Sequence, residues 1–572
     1  MTFPEEIRTL LTGALGRAGI EPPEGFDPQV AATSDPRFGD YQSNAAMLLG
    51  KELRTNPREL ASNIVKHLEC DNLCEKPEIA GPGFINFKLR REVLENRAFG
   101  LFEDKTLGVH RVTDAKTIVI DFSAPNVAKP MHVGHIRSTI IGDCLARVAR
   151  FLGHRVVTDN HIGDWGKQFG MILYGWKHFL DRAAFESEPI ETLVALYKKV
   201  NALAKEDAEL NDACKAELVK LQRGDEENLA IWKETVALSR QGLEKIYRAL
   251  DVRFDHWLGE SAYNERLPSL TGELIERGVA AESEGAICIF FPQDENLADR
   301  PPFIVRKQDG GYGYAATDIA TVEYRIREFD ADEIWYVVGS PQQLHFEQLF
   351  AVAQKLKFEA RLVFIPFGSI LGSDRKMLRT REGEPPQLGD LLAEAVTRAR
   401  AVVDEKNPSL PEEEKSGIAE IVGVGAIKYA ELSQNRLTDY VFAWDKLLSM
   451  QGNTAPYLQN ACVRVRSIFR RLEDRPDFGE TLELAHQHER ALALKLLRFG
   501  EAVPEVLGDH RPNLLANYLY ELADTFHGFY ETCHVLRAEG ITRSTRLALC
   551  ELTSRVLHQG LELLGVEVPD RM

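Results

Sequence analysis

The most constraining stretch of the chain is an apolar strand that runs into a proline-bearing loop and then a helix. Residues 117–123, Thr-Ile-Val-Ile-Asp-Phe-Ser, are short and rich in β-branched side chains, the pattern of a parallel strand buried on both faces. The loop carries Pro125 and Pro130, and a helical pattern follows from about residue 132 to 151. A second strand at 155–158, the loop Asn-His-Ile-Gly-Asp-Trp-Gly and a helix over 167–180 repeat the alternation. Strand and helix at this spacing predict a doubly wound parallel sheet, whose ligands bind beyond the carboxyl ends of its strands.

That text is interrupted and then resumes. Residues 185–247 are dense in Lys, Glu and Leu at helical spacing, with no strand runs, and predict a helical insertion at about 181–285. The α/β pattern returns at Ala286, with strands expected at 333–339 and 362–368 around a helix over 342–357. Residues 1–112 read as a small α+β module that opens with a helix over 4–18 and ends in the β-like Gly-Pro-Gly-Phe-Ile-Asn-Phe-Lys-Leu. Residues 389–572 read as an all-α bundle, which leaves 113–388 for the parallel sheet and its insertion.

Charge and cysteine usage exclude several classes. The chain has 69 basic and 87 acidic residues, a net charge of −18, which argues against coating nucleic acid through bulk charge but leaves room for a local basic face. No apolar run approaches the length of a membrane span. The opening Met-Thr-Phe-Pro-Glu-Glu has no basic segment of a signal or transit peptide. Among 572 residues the eight cysteines are too sparse for a disulfide scaffold, and Cys70 and Cys74 are the only close pair. Reduced thiols and a cytoplasmic location are expected.

The chemistry concentrates where the first strand ends. His132 and His135, three apart, face one side of the first helical turn, and Gly134 between them lets a ligand approach the backbone. A helix N-terminus presents unpaired N–H groups that suit phosphate. Two other readings compete: helix-face histidines without a role, and a metal site. No further ligands at metal-binding spacing accompany the His-x-x-His, so no metal is assigned.

The His-Val-Gly-His string resembles the HIGH motif of class I aminoacyl-tRNA synthetases. The wider string SAPNVAKPMHVGHIRSTIIGD, followed by NHIGDWGKQFG, resembles the arginyl-tRNA synthetase family, of bacterial type. The resemblance extends to PYLQNACVRVRSIFRR and ADTFHGFYETCHVL near the C-terminus. It implies a Rossmann-like catalytic domain between an N-terminal tRNA-binding domain and a C-terminal anticodon-binding bundle of the DALR type.

The resemblance also implies site residues. Pro125, Lys129, His132, Gly134 and His135 would face ATP. The segment Lys376-Met-Leu-Arg-Thr stands where the family carries KMSKS, with Arg379 and Thr380 replacing its second lysine and last serine. Lys376, Arg379 or Arg381 would then neutralise the pyrophosphate. Tyr314 and Asp318, four apart and on one face if helical, would hold the guanidinium of arginine, assisted by Asp121. Ser123, Asn126 and Gln342 would hold the rest of the substrate. Carboxylate acceptors are what a planar guanidinium requires. Arg464, Arg466, Arg470 and Arg471, near Tyr457 and Phe469, suit tRNA phosphates and bases, and Phe84 and Asn86 match positions that read the D-loop.

The implied reaction makes arginyl-adenylate from arginine and ATP and then esterifies the terminal adenosine 2′-hydroxyl of tRNA(Arg). Mg²⁺ would be held mainly by phosphates, with no organic cofactor. Relatives suggest a monomer that needs bound tRNA before it activates arginine. The alternatives are a non-catalytic RNA-binding paralogue, a class I synthetase for another amino acid, or another nucleotidyl transferase. An apolar substrate would leave Asp121 and Asp318 buried and unpaired.

Overall fold

The computed structural model describes residues 1–372, 374–378, 385–472 and 476–572. The N-terminal part contains α1 (Phe3–Arg17), β1 (Val30–Ala32), β2 (Tyr41–Ser43), α2 (Ala45–Glu52), α3 (Pro57–Lys66), β3 (Glu78–Ala80), β4 (Phe84–Phe87) and α4 (Arg91–Gly100). The next part begins with β5 (Thr117–Phe122), α5 (Ile136–Phe151), β6 (Arg155–Asp159) and α6 (Lys167–Phe179). Four insertion helices follow: α7 (Arg182–Ser187), α8 (Pro189–Glu206), α9 (Ala208–Gln222) and α10 (Glu226–Ala249). Then come α11 (Leu267–Glu276), β7 (Ala281–Ser283), β8 (Ala286–Ile289), β9 (Phe303–Arg306), α12 (Tyr314–Phe329) and β10 (Glu333–Gly339). They lead to α13 (Gln343–Leu356), β11 (Arg361–Phe367) and β12 (Ile370–Leu371). The remainder is α14 (Leu388–Lys406), α15 (Glu412–Leu432), β13 (Tyr440–Val441), α16 (Trp444–Leu447), α17 (Ala455–Arg470), α18 (Gln487–Leu497), α19 (Phe499–Gly508), α20 (Pro512–Thr532) and α21 (Gly540–Leu563).

Two compact units emerge, one of residues 1–110, 460–505 and 517–560, the other of 111–459, 506–516 and 561–572. The first joins the two ends of the chain. Its sheet is antiparallel, in the order β1-β2-β4-β3. Buried Asp40 accepts both arms of the Arg490 guanidinium, at 2.9 and 2.6 Å, and the Leu89 N–H at 2.7 Å. Arg498 donates to the Asp40 carbonyl at 2.6 Å, and the Tyr41 hydroxyl donates to Glu501 at 2.7 Å. Bidentate pairs of this kind are strong and directional, so they bolt α18 and α19 to the N-terminal sheet. Local sequence patterns describe the module and the bundle separately, and a pairing between positions 40 and 490 lies beyond their reach.

The second unit carries the expected parallel sheet, in the order β11-β10-β5-β6. Alternate residues of β5 face opposite sides. Val119 packs in a core with α12 and α13, while Phe122 meets α5. A Cβ on Gly142 of α5 would stand 2.2 Å from Phe122 Cγ, so this helix can lie on the strand only because position 142 has no side chain.

The insertion helices start where aspartates cap them. Asp181 accepts from the Ala183 and Ala184 N–H groups, Asp207 from Glu209 and Leu210, and Asp225 from Asn228. The helices end at Ala249, short of residue 285. The chain then returns to the sheet, where the Asp255 and His256 N–H groups both reach the Thr158 carbonyl at 3.0 Å. Strand β8 also differs from expectation, because it pairs in a separate antiparallel sheet, β7-β8-β9. Within the helical C-terminal text, the short β13 pairs in parallel with β12.

Gly142→Ala should lower the melting temperature through overpacking against Phe122, a cost of roughly 1–3 kcal/mol. Gly16→Ala, at a helical position with nothing within 4 Å of the added carbon, should leave it unchanged or raise it. Thermal melts of the two variants beside the parent check both.

Candidate active site

Between β5 and α5 the backbone is forced into unusual shapes. Ser123, Ala124 and Ala128 have φ of 72°, 43° and 57°, a left-handed region that costs non-glycine residues about 1 kcal/mol or more each. The loop is held on two sides. Val127 N–H donates to the Gly163 carbonyl and Gly163 N–H to the Pro125 carbonyl, both at 3.1 Å. Val133 N–H donates to Pro386 at 2.9 Å and Leu388 N–H to Met131 at 2.8 Å.

Both histidines have determined tautomers. His132 Nδ1 accepts the Gly134 N–H at 3.0 Å, and His135 Nδ1 accepts the His132 N–H at 3.2 Å. A backbone N–H can only donate, so in each neutral ring the hydrogen sits on Nε2. Neither Nε2 has a protein partner among the described residues. Burial lowers the His132 pKa, and Lys129 adds to it; burial, with His132 adding, pulls His135 down to about 4. The rings, with centroids 4.0 Å apart, therefore offer two neutral N–H donors. A Cβ at Gly134 would stand 2.8 Å from His132 Cε1, which gives that glycine its reason.

Acidic groups gather at the same edge of the sheet. Helix α12 precedes β10 and α13 follows it, so the first turns of both stand beyond the strands' carboxyl ends, as the histidines do. Asp318 Oδ2 lies 2.5 Å from His345 Nε2. Glu260, on the loop returning from the insertion, donates its backbone N–H to Ile162 at 3.2 Å, which ties it to the end of β6. Burial pushes its carboxyl up to about 7; His161 opposes this, while Asp164 and Asp318 add to it. The Asp164 carboxylate is taken by the Ser261 backbone at 2.8 Å and hydroxyl at 2.6 Å. Glu260 accepts the Trp165 N–H and meets no lysine or arginine among the described residues. The Tyr314 ring is exposed, and its hydroxyl pKa is raised by desolvation and by the charges of Glu260 and Asp318. The three groups are near enough for their charges to act on one another.

Two expected ligands turn inward. Asp121 Oδ2 lies 2.7 Å from Arg325 Nη2, and the same nitrogen is 2.9 Å from Asp159 Oδ2. A carboxylate so paired has its charge answered from within the protein. The buried Ser123 hydroxyl bonds the Tyr247 hydroxyl at 2.6 Å and the Thr139 hydroxyl at 2.8 Å, and it too becomes a support. Asn126 and Gln342 are exposed. Pro125 is buried, and the Lys129 ammonium lies 4.9 Å from the Tyr197 ring centre. Lys376 is exposed in a hairpin on β12, where Gly372 N–H donates to its carbonyl at 2.8 Å. Arg379, with Thr380 and Arg381, lies outside the described residues.

A family model described as class I tRNA synthetases (R), catalytic domain, matches residues 100–444. Models for the DALR anticodon binding domain and the arginyl tRNA synthetase N-terminal domain match 458–572 and 5–89. An arginine–tRNA ligase of Hahella chejuensis is 43% identical over 580 residues, with 100% of both chains covered. One of Thermobifida fusca is 44% identical over 573 residues, with 98% of each covered. Among solved structures, an arginyl-tRNA synthetase of Plasmodium falciparum superposes with a TM-score of 0.86 at 30% identity, over 100% of both chains. That of Thermus thermophilus gives 0.85 at 26%, again over 100% of both chains. The chain belongs to the arginyl-tRNA synthetase family.

The family's reaction, ATP-dependent ligation of arginine to tRNA, is this chain's reaction, and none of the three alternatives is favoured. Glu260 is the group that sequence reasoning missed in this synthetase fold. Its only signal was an acid in a Gly-Glu-Ser loop at the end of the insertion, which is no recognisable pattern in isolation.

A buried cluster links the two signature loops of the synthetase. Arg137, two residues past His135, has its Nε 3.1 Å from Glu431 Oε2 and donates to the Thr438 carbonyl at 3.0 Å. Tyr440 bonds Glu431 from β13, and β13 pairs with β12, which carries the Lys376 hairpin. On the RNA-binding side, Arg464 donates to His527 at 3.0 Å and Arg470 is exposed, with Arg466 half-buried. Phe84 is half-buried on β4, while Asn86 is buried with its Oδ1 unpartnered.

The tautomers yield a prediction. His135→Gln can still place an N–H near the Nε2 position, whereas His135→Asn keeps only the Nδ1-like acceptor. The Asn variant should lose about 10²–10³-fold in adenylation rate and the Gln variant clearly less, with tRNA affinity unchanged in both. ATP–pyrophosphate exchange and tRNA filter binding check this.

Proposed function

We propose that the pocket of Tyr314, Asp318 and Glu260 takes the guanidinium of L-arginine, with the triphosphate of ATP lying along the His132–Gly134–His135 turn. One observation carries the reading: two carboxylates without an arginine or lysine partner among the described residues share an edge of the sheet with two neutral imidazole donors. Asn126 and Gln342 hold the α-amino end. Asp121 and Ser123 act behind the pocket, through Arg325 and Tyr247.

The chemistry needs no side-chain nucleophile. A carboxylate oxygen of arginine attacks the α-phosphorus, the bond to the β-phosphate oxygen breaks, and pyrophosphate leaves from arginyl-adenylate. The two Nε2–H groups donate to phosphate oxygens as charge builds there, and Lys129 and Lys376, with Arg379 beyond the described residues, neutralise the leaving group. Neutral donors and ammonium groups suit phosphate and are poor metal ligands, so Mg²⁺ arrives on ATP as part of the substrate. The 2′-hydroxyl of the terminal adenosine then attacks the adenylate carbonyl, and AMP departs.

In this reading residues 1–112 bind tRNA through Phe84 and Asn86, and 389–572 bind the anticodon arm through Arg464, Arg466 and Arg470. Phe84, Asn86, Arg464, Arg466 and Arg470 all belong to one compact unit. All eight cysteines are buried free thiols, in keeping with a cytoplasmic enzyme. No described helix is long and apolar enough to cross a membrane.

Pyrophosphate exchange should occur with arginine in the presence of tRNA(Arg), and not with lysine or glutamine; exchange with another amino acid would refute the reading. The pH dependence has a definite sign. Glu260 ionises at about 7 in the free enzyme, and only the ionised form attracts a guanidinium. The kcat/KM for arginine should therefore fall as pH drops through 7, while that for ATP shows no break there. Glu260→Gln should flatten this limb and lower kcat/KM for arginine by about 10²-fold.

A further inference from the structure

We infer that His345 is a positioning residue for arginine selection, holding one oxygen of Asp318 so that the other is aimed at the incoming guanidinium. This rests on the reading of Asp318 as a guanidinium ligand. His345 Nε2 and Asp318 Oδ2 are 2.5 Å apart, and a carboxylate only accepts, so the imidazole donates. Asp318 has no other side-chain hydrogen bond among the described residues, which leaves Oδ1 without a protein donor there. Both side chains are about a quarter exposed, at 28% and 23%, so both are within reach of solvent and of a ligand.

The imidazole is itself held. Its ring meets Phe303 of β9 at 5.1 Å and Phe346 of α13 at 5.4 Å, with interplanar angles of 63° and 81°. Both phenylalanines are buried in the core between α12, α13 and the sheet. Edge-to-face contacts on two sides fix the ring plane, and with it the direction of Nε2–H. An aspartate one turn into a helix otherwise rotates about χ1 and χ2. A donor at one oxygen removes that freedom before substrate arrives, and pre-organisation of this kind lowers the entropic cost of binding.

The donor type matters as much as its place. A lysine or arginine at 345 would cancel the Asp318 charge, as Arg325 answers Asp121. An imidazole can orient a carboxylate and leave the negative charge for the substrate. A guanidinium presents N–H groups in a rigid plane, so a fixed Oδ1 beside Glu260 rewards that geometry over a compact ammonium.

The test compares His345→Phe and His345→Met, which cannot donate, with His345→Gln, which can, in tRNA-dependent aminoacylation by the full-length enzyme. Asp318→Asn and the double variant accompany them. The donor-less variants should raise KM for arginine about tenfold or more, with kcat and KM for ATP within about threefold. His345→Gln should recover most of the loss, and adding His345→Phe to Asp318→Asn should cost less than about twofold more. The inference is overturned if the donor-less variants leave KM for arginine unchanged while Asp318→Asn raises it. It is equally overturned if both substrates suffer alike and the Gln variant is no better than the Phe variant. Should Asp318→Asn itself leave KM for arginine unchanged, the guanidinium reading fails first and takes this inference with it.

Discussion

Arg325 is the interaction on which the catalytic architecture depends. Its guanidinium is fully buried, with one nitrogen bridging Asp121 of β5 and Asp159 of β6, and it lies 5.6 Å from the Tyr336 ring of β10. One side chain of α12 thus engages three adjacent strands. Arg325 stands seven residues after Asp318, two helical turns along the same face, so the contact that seats the helix also decides where its first turn projects. Removing one partner of such a cluster costs about 3–5 kcal/mol, because a buried charge is left behind. The sheet's strand order and this cation together put Tyr314 and Asp318 beyond the strands' carboxyl ends.

Charge is distributed along the active edge with a clear division. Where phosphate is proposed to bind, the side chains are neutral imidazoles whose tautomers are set by backbone N–H groups, supplemented by lysines. Where the guanidinium is proposed to bind, Asp318 and Glu260 stand without a lysine or arginine partner among the described residues. Asp121 and Asp159 are also acidic, but Arg325 answers both. Asp318 and Glu260, by contrast, have no lysine or arginine partner among the described residues, which is the basis of the proposed preference for a planar cation.

The phosphate side is braced from the opposite direction. Arg137 leaves α5 beside the histidines and is enclosed by Glu431, Thr438 and Tyr440, and β13 then pairs with the strand that bears Lys376. Burial raises the Glu431 carboxyl to about 7, with Arg137 opposing it, so the proximity of that cation favours the ionised partner. The two signature loops, more than two hundred residues apart in sequence, are placed through this cluster rather than by any direct link between them.

Much of this was already written in the order of residues. The strands of the parallel sheet, the aspartate-capped insertion and the His-Val-Gly-His turn follow from β-branched runs, capping residues and glycine placement, all of which act within a few positions along the chain. The family's motifs extended that reading to Tyr314 and Asp318. Tertiary structure alone decided what each carboxylate meets. Asp121 and Asp318 are the same residue type and both carried the same expectation, yet one lies against a buried arginine and the other against an aromatic-clamped histidine. Glu260 had no local signature at all, and the union of the chain's two ends through Asp40 and Arg490 spans 450 positions. Local sequence determines which elements form, because backbone preferences and capping are short-range. Burial and ion pairing depend on partners that only the folded chain brings together, and those partners determine which acids remain without a lysine or arginine beside them.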